Sequence, residues 1–302
     1  MNHPRTGDER AWQSSVVATL RASSALSMSS EPVWRAVGGN ALSSVWMLSL
    51  APARFFVKTT HPQQVDLLAA EVDGLRAIRE AAPLRVPLVF AHGQAENAAF
   101  MVMDWLDFAE GGRDVALGTA LAQLHQCSGP RFGWHRDNAI GTTLQQNAWC
   151  DEWPVFFVER RLAPQLALAR SNGFSRRLQR EGQRLLECVP RLLEGHPVVP
   201  SLLHGDLWAG NAARMDDGMP VVYDPASYYG DREADIAMTE LFGGFSADFY
   251  AAYRRVAPVH PGYPVRRTLY NLYHVLNHLN LFGTSYLARS ESMIAELLSR
   301  AR

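Results

Sequence analysis

The 302-residue chain is almost without lysine: of its 29 lysine and arginine side chains, only Lys58 is lysine. Cysteine is scarce too, and Cys127, Cys150 and Cys188 are odd in number, far apart and without a C-x-x-C pair. That pattern argues against a disulfide framework and against a zinc site, and it suits a reducing cytoplasm. No apolar run is long enough to span a bilayer, and the opening "MNHPRTGDERAW" lacks the apolar segment of a signal peptide. A formal net charge of −1 leaves no global field for nucleic acid or an anionic membrane. The expectation is a cytoplasmic protein with neither nucleic acid nor membrane as partner. What is present, 47% hydrophobic and 20% charged residues, is the make-up of a globular chain long enough for one or two lobes.

The first third reads as a small mixed lobe. Trp12, Val16 and Leu20 recur at helical spacing, and "VWRAVGGNALSSVWMLSL" reads as strand, glycine turn at Gly38 and Gly39, strand. "ARFFVKTT" predicts a third strand with Phe56 and Lys58 on one face and Phe55 and Val57 on the other. The helical segment that follows places Leu67, Leu68, Leu75 and Ile78 on one stripe, with Glu71 among them. A carboxylate on an inward stripe needs a cation, and Lys58 is the nearest upstream. Two more strands, in "VPLVFAHGQ" and "AAFMVMDWLDF", precede a change of character near residues 104 to 108, after which helical patterns dominate.

The stretch "SLLHGDLWAGNAARMDDGMPVVYDPASYYGDREADIAM" holds the chemistry. Phosphoryl transfer requires a carboxylate to orient the attacking hydroxyl and take its proton, and oxygen ligands for magnesium. Asp206, then Asn211 five positions later, then Asp224 after the apolar "PVVY", supply that set in order. The D-L-x-x-x-N pattern from Asp206 is that of a protein-kinase catalytic loop, and "DPA" stands where a kinase has D-F-G. Lys58 then resembles the third-strand lysine on the nucleotide phosphates, Glu71 its helix partner, and Gly38 and Gly39 the covering turn, helped by Asn40, Ser43 and Ser44. No A-P-E follows Asp224, which points to a small-molecule kinase.

"HGDLWAGN", "YDPASYYGDREADIAMTELFGGF" and "RFGWHRDNAIGTTLQQNAWCDEWPVFFVERRLAPQL" resemble the fructosamine kinase (ketosamine-3-kinase) family over most of the chain. The resemblance implies an α+β, bilobal protein-kinase-like fold. Its small N-terminal lobe, residues 1–103, would carry an antiparallel sheet and one key helix. A hinge at 104–107 would lead to a larger, mostly helical lobe at 108–302. It implies ATP and Mg2+ as cofactors and transfer to the 3-hydroxyl of a ketosamine, free or protein-bound, in a deglycation repair. The rivals are an aminoglycoside- or choline-type phosphotransferase of the same fold and an inactive nucleotide-binding scaffold. By the resemblance Asp206 is the base, Asn211 and Asp224 bind magnesium, Lys58 and Glu71 hold ATP, and the backbone from Asp104 to Leu106 meets adenine. Asp235 and His204 would support the loop. Two readings stand for Trp208, a platform for the sugar or a core residue, and two for Arg136, Asp137 and Asn138, substrate contacts or turn caps. His274 and His278, at i and i+4, lack a third ligand in the sequence and carry no metal reading. A monomer or weak dimer is expected.

Overall fold

The computed structural model describes residues 8–23, 30–39, 43–109 and 114–301. The chain groups into two compact units, Met1–Arg76 with Val86–Phe108, and Ala77–Arg85 with Ala109–Arg302. Segment 77–85 thus belongs with the later unit, where Arg85 exchanges backbone hydrogen bonds with Pro220 and Val222.

The first unit opens with helix α1 (Asp8–Ser23) and builds an antiparallel five-stranded sheet from β1 (Val33–Gly39), β2 (Ser43–Leu50), β3 (Ala53–Thr60), β4 (Val89–Gln94) and β5 (Ala99–Asp104), ordered β1-β2-β3-β5-β4. The period-two pattern of β3 decides its orientation. Phe55 and Val57 are buried in a cluster with Trp12, Val16, Val17 and Leu20 of α1, so Lys58, next in the chain, points to the opposite face. Burying each such apolar side chain contributes about 1.5–3 kcal/mol, which makes a one-residue register slip costly. A short 3-10 turn, capped by the His61 ring, leads into α2 (Val65–Ala81), which buries Leu68, Val72, Leu75 and Ile78. Leu67 is only half-buried, on the same flank as Glu71 rather than in the core stripe.

After the two-residue β6 (Phe108–Ala109), the second unit is mostly helical. Helix α3 (Val115–Leu124) is capped by Asp114, and Gly118 lets it lie against a later helix, since a Cβ there would meet the Phe249 carbonyl at 2.2 Å. A small hairpin of β7 (Asn138–Ile140) and β8 (Thr143–Gln145) precedes α4 (Trp153–Phe157), a π turn over Val158–Leu162, α5 (Ala163–Ser171) and α6 (Arg176–Leu192). Helix α6 is capped by Ser175 and buries Leu178, Leu185 and Val189. Strands β9 (Ser201–Leu203) and β12 (Tyr228–Gly230) pair antiparallel, as do β10 (Ala212–Met215) and β11 (Pro220–Val222). Helices α7 (Glu233–Leu241), α8 (Ala247–Val256), α9 (Tyr263–Phe282) and α10 (Leu287–Arg300) complete the unit. No described helix is long and apolar enough to cross a membrane.

Candidate active site

In the first unit the lysine and the glutamate meet. Lys58 Nζ donates to both Glu71 carboxylate oxygens, at 2.8 and 3.0 Å, with the two side chains 19% and 13% exposed. Strand periodicity brings one and helix periodicity the other. Between β1 and β2, Gly38 stands opposite Val45 and Gly39 opposite Ser44. Gly39 has φ +148°, and a Cβ on it would meet the Ser43 carbonyl oxygen at 2.5 Å, so glycine is required there.

In the second unit, β9 runs into His204-Gly205-Asp206, and the loop is held from behind by one carboxylate. Asp235, in the first turn of α7, accepts from the backbone N–H of His204 at 2.7 Å and of Gly205 at 2.9 Å. His125 Nε2 lies 3.1 Å from the same carboxylate, while its Nδ1 is 2.8 Å from the Tyr253 hydroxyl. An ionised carboxylate only accepts, so Nε2 carries a proton and donates to Asp235. Burial works against the Asp235 charge, but His125, His204 and the Gly205 N–H together hold its pKa below the ordinary value. His204 is fully buried: its Nε2 donates to the Tyr223 carbonyl at 3.1 Å and its Nδ1 accepts from the Asp206 N–H at 3.3 Å. Burial lowers its pKa, so it stays neutral and anchors the loop.

The loop and the Asp224 segment are laced together. Ala226 N–H donates to His204 O and Tyr223 N–H to Asn211 O. Gly205, at φ +86°, lets the strands approach, because a Cβ would lie 2.1 Å from Ala226 O. Asn211 turns its amide nitrogen to Asp206 O at 2.9 Å, so its amide oxygen is the atom that could face a cation. Burial, then the charges of Asp224 and Asp235, push the Asp206 pKa up to about 7, against the Asn211 hydrogen bond. Two carboxylates and an amide oxygen are hard ligands, and a dication would relieve the repulsion that Asp224 exerts on Asp206; the donor set fits magnesium. Asp224 is exposed and adopts a left-handed φ of +54°.

A family model described as fructosamine kinase matches residues 14–300. The chain belongs to the fructosamine kinase family. A Synechocystis sp. protein described as a probable ketoamine kinase is 43% identical over 269 residues, covering 87% of this chain and 90% of its own. A chloroplastic protein-ribulosamine 3-kinase of Oryza sativa subsp. indica is 38% identical over 266 residues, covering 87% and 78%. Among solved structures, one from Haemophilus somnus, provisionally described as a fructosamine-3-kinase, superposes with TM-score 0.88 at 27% identity, covering 97% of this chain and 100% of that one. A thermostable mutant of the aminoglycoside phosphotransferase APH(4)-Ia, in complex with AMP-PNP and hygromycin B, gives 0.62 at 15% identity over 90% and 95%, a likeness of fold alone. This fructosamine kinase family member is therefore a phosphotransferase with a protein-kinase-like fold, as the sequence resemblance implied.

The remaining site residues expected from sequence fall differently in this kinase. Asn40 lies outside the described residues. At the expected hinge, Asp104 N–H is committed to Leu88 O and its carboxylate accepts from Leu88 N–H, whereas Leu106 makes no hydrogen bond among the described residues. Trp208 is 41% exposed beside Asp206, and Gly210 makes room for its ring, which a Cβ would meet at 2.1 Å. Its reading as a core residue is thereby removed. Asn138 corrects the other way. It is buried, donating to Ser227 O at 2.9 Å and accepting from Gln145 and Asn147, so its amide is spent inside the protein rather than on a substrate. Arg136 offers its carbonyl to Asn147, and Asp137 accepts from Asn147 N–H, which ties both to the turn.

His274 is buried and neutral, its pKa lowered to about 3 by burial, and His278 Nδ1 bonds the His274 carbonyl. A separate group, His196, Asp231 and Glu233, gathers three ligand-type side chains. Arg266 pairs with Glu233 through two nitrogens, and Asp231 accepts from Tyr270 and lies 2.7 Å from His196 Nε2, so both carboxylates are already engaged within the fold. Sequence reasoning missed His125, Gln145, Asn147 and Arg161. Gln145, Asn147 and Arg161 lie within the stretch that carries the family resemblance, and His125 ends an amphipathic helical pattern, but nothing in the sequence pairs them with the site.

Proposed function

We propose that this protein transfers the γ-phosphoryl group of ATP to the 3-hydroxyl of a ketosamine, with ribulosamine the first sugar to test. The Asp206–Asn211–Asp224 constellation, clamped by Asp235, carries the reading, and the ketoamine and ribulosamine 3-kinase relatives support the acceptor class. Lys58, steadied by Glu71, holds nucleotide phosphates; a compact ammonium suits a site where a guanidinium fork would not. Asp206 orients the acceptor hydroxyl and takes its proton as the oxygen bonds to phosphorus and the bond to the ADP oxygen breaks. Asn211 Oδ1 and the Asp224 carboxylate hold magnesium, which when bound screens the phosphate charge. Exposed Trp208 offers a face to the sugar's CH surface or to its amine.

The test is a purified-enzyme assay with Mg2+·ATP, offering ribulose-lysine and fructose-lysine beside choline and an aminoglycoside. Turnover confined to the ketosamines supports the proposal. Turnover confined to choline or the aminoglycoside would keep the fold and overturn the acceptor.

A further inference from the structure

Arg161 is a buried cation with no acid directly paired to it. It sits in the π turn Val158–Leu162, is 0% exposed, and has no carboxylate within ion-pair distance among the described residues. Its guanidinium lies 4.1 Å from the ring centre of Tyr228, 4.6 Å from that of Phe156 and 5.8 Å from that of Tyr273. Its hydrogen bonds to carbonyl and amide oxygens go to Gln146 O at 2.6 Å, Arg160 O at 2.9 Å and Asn147 Oδ1 at 2.7 Å, and it also interacts with the Tyr228 hydroxyl. A buried charge without a counter-ion is disfavoured, and an apolar side chain of similar volume would fill such a site at less cost. Packing therefore does not account for it, and π turns recur where a helix serves a site.

The hydrogen bonds that leave Arg161 lead to one place. Asn147 donates to Asn138 Oδ1 at 3.0 Å, and Gln145 donates to the same oxygen at 2.8 Å and to Ala226 O at 3.1 Å. Asn138 donates to Ser227 O at 2.9 Å, and Tyr273 fixes the other end of Gln145 at 2.8 Å. Both carbonyls follow Asp224-Pro225, and Tyr228, under the guanidinium, comes next. Asp224 holds a left-handed backbone, which aspartate adopts more readily than most residues, and that backbone sets the direction of its carboxylate. We propose that Arg161 is the positioning residue for Asp224: through Asn147, Asn138 and Gln145, and by stacking on Tyr228, it fixes segment 226–228 and so the direction of the Asp224 carboxylate. This rests on the reading of Asp224 as a metal ligand. The planar fork is needed, since an ammonium cannot stack on rings and bond two oxygens in one plane.

The test compares wild type with Arg161→Lys, Gln145→Leu, their double variant and Asp224→Ala, by Mn2+ binding in the presence of ADP, followed by electron paramagnetic resonance, and by kcat and acceptor KM. Arg161→Lys and Gln145→Leu should each weaken Mn2+ about tenfold and lower kcat by about 10- to 100-fold, the usual range for residues that orient a metal ligand. Acceptor KM should stay within about twofold, and the double variant should be no worse than the weaker single one. Wild-type Mn2+ affinity in folded Arg161→Lys, or in Gln145→Leu should the first variant not fold, would overturn the proposal, as would independent, additive losses. Mn2+ binding lost in Asp224→Ala but kept in the other two sinks this inference alone; Mn2+ binding kept in Asp224→Ala overturns the metal assignment and this inference with it.

Discussion

Lys58 and Glu71 form a two-pronged ion pair, one ammonium nitrogen 2.8 and 3.0 Å from the two oxygens of one carboxylate. The strand sets the lysine away from the α1 core and the helix flank delivers the glutamate, so the pair is fixed by two periodicities rather than by loop geometry.

Lys58→Arg therefore tests more than charge. In a chain otherwise served by arginine, this substitution should raise KM for ATP and lower kcat, together by about 10²-fold in kcat/KM, because a bulky fork displaces the point charge. Steady-state kinetics at saturating acceptor check this. Glu71→Gln should reduce ATP affinity with a smaller effect on stability than Glu71→Ala.

Asp235→Asn replaces an acceptor of two backbone N–H groups with a side chain that has one acceptor oxygen. The loop should loosen: kcat falls by about 10²-fold while ATP affinity changes little, and stability drops by about 2–4 kcal/mol for a lost buried charge-assisted pair of hydrogen bonds. Urea unfolding and calorimetric ATP binding measure the two halves.

The same carboxylate has a pH signature. Its folded pKa lies below the unfolded value, as does that of Asp231, where burial opposes and His196, Tyr270 and the Glu233 N–H favour the charge. Each contributes stability that is fully present above the unfolded pKa of about 4 and is lost as pH falls through the folded value. The urea midpoint of wild type should drop on acidification below about pH 4, and Asp235→Asn should show a smaller drop.

Asp206 has the opposite sign. With its folded pKa pushed up to about 7, the folded state binds more protons than the unfolded chain between about pH 4 and 7, so its carboxylate costs stability as pH rises through that window. Asp206→Asn should raise the melting temperature at pH 8, with the gain fading below pH 7 and gone near about pH 4. The proposed role of Asp206 as base requires its deprotonated form, so kcat/KM should fall on the acid side of about pH 7 at low Mg2+, and saturating Mg2+ should move that limb to lower pH.

Much of this was readable in the chain. The alternation of "ARFFVKTT" and the spacing of Glu71 foretold the ion pair because both are local periodicities. The His204–Asn211 loop stood out through residue types at fixed spacing, which is what marks it as the proposed catalytic loop. What local pattern cannot carry is partnership across sequence distance: His125 finds Asp235 110 residues on, and Gln145 reaches Ala226 across 81. Asn138 and Asn147 sit in a polar stretch that reads as turn chemistry, yet both are buried, because their amides satisfy backbone carbonyls that no strand or helix would otherwise pair. Arg161 was hidden for the same reason: no local pattern reveals that a charged residue in "FFVERRLAP" is not exposed at all.

The central claim is that Asp206 takes the proton from a ketosamine hydroxyl during phosphoryl transfer. The most direct measurement compares wild type and Asp206→Asn in single-turnover transfer from Mg2+·ATP to ribulose-lysine, with Mg2+·ATP binding followed on the same samples. Transfer by wild type is expected, with a rate at least about 10³-fold lower in the variant and nucleotide affinity within about threefold. An unchanged rate in the variant, or no transfer to any ketosamine by wild type, would contradict that claim.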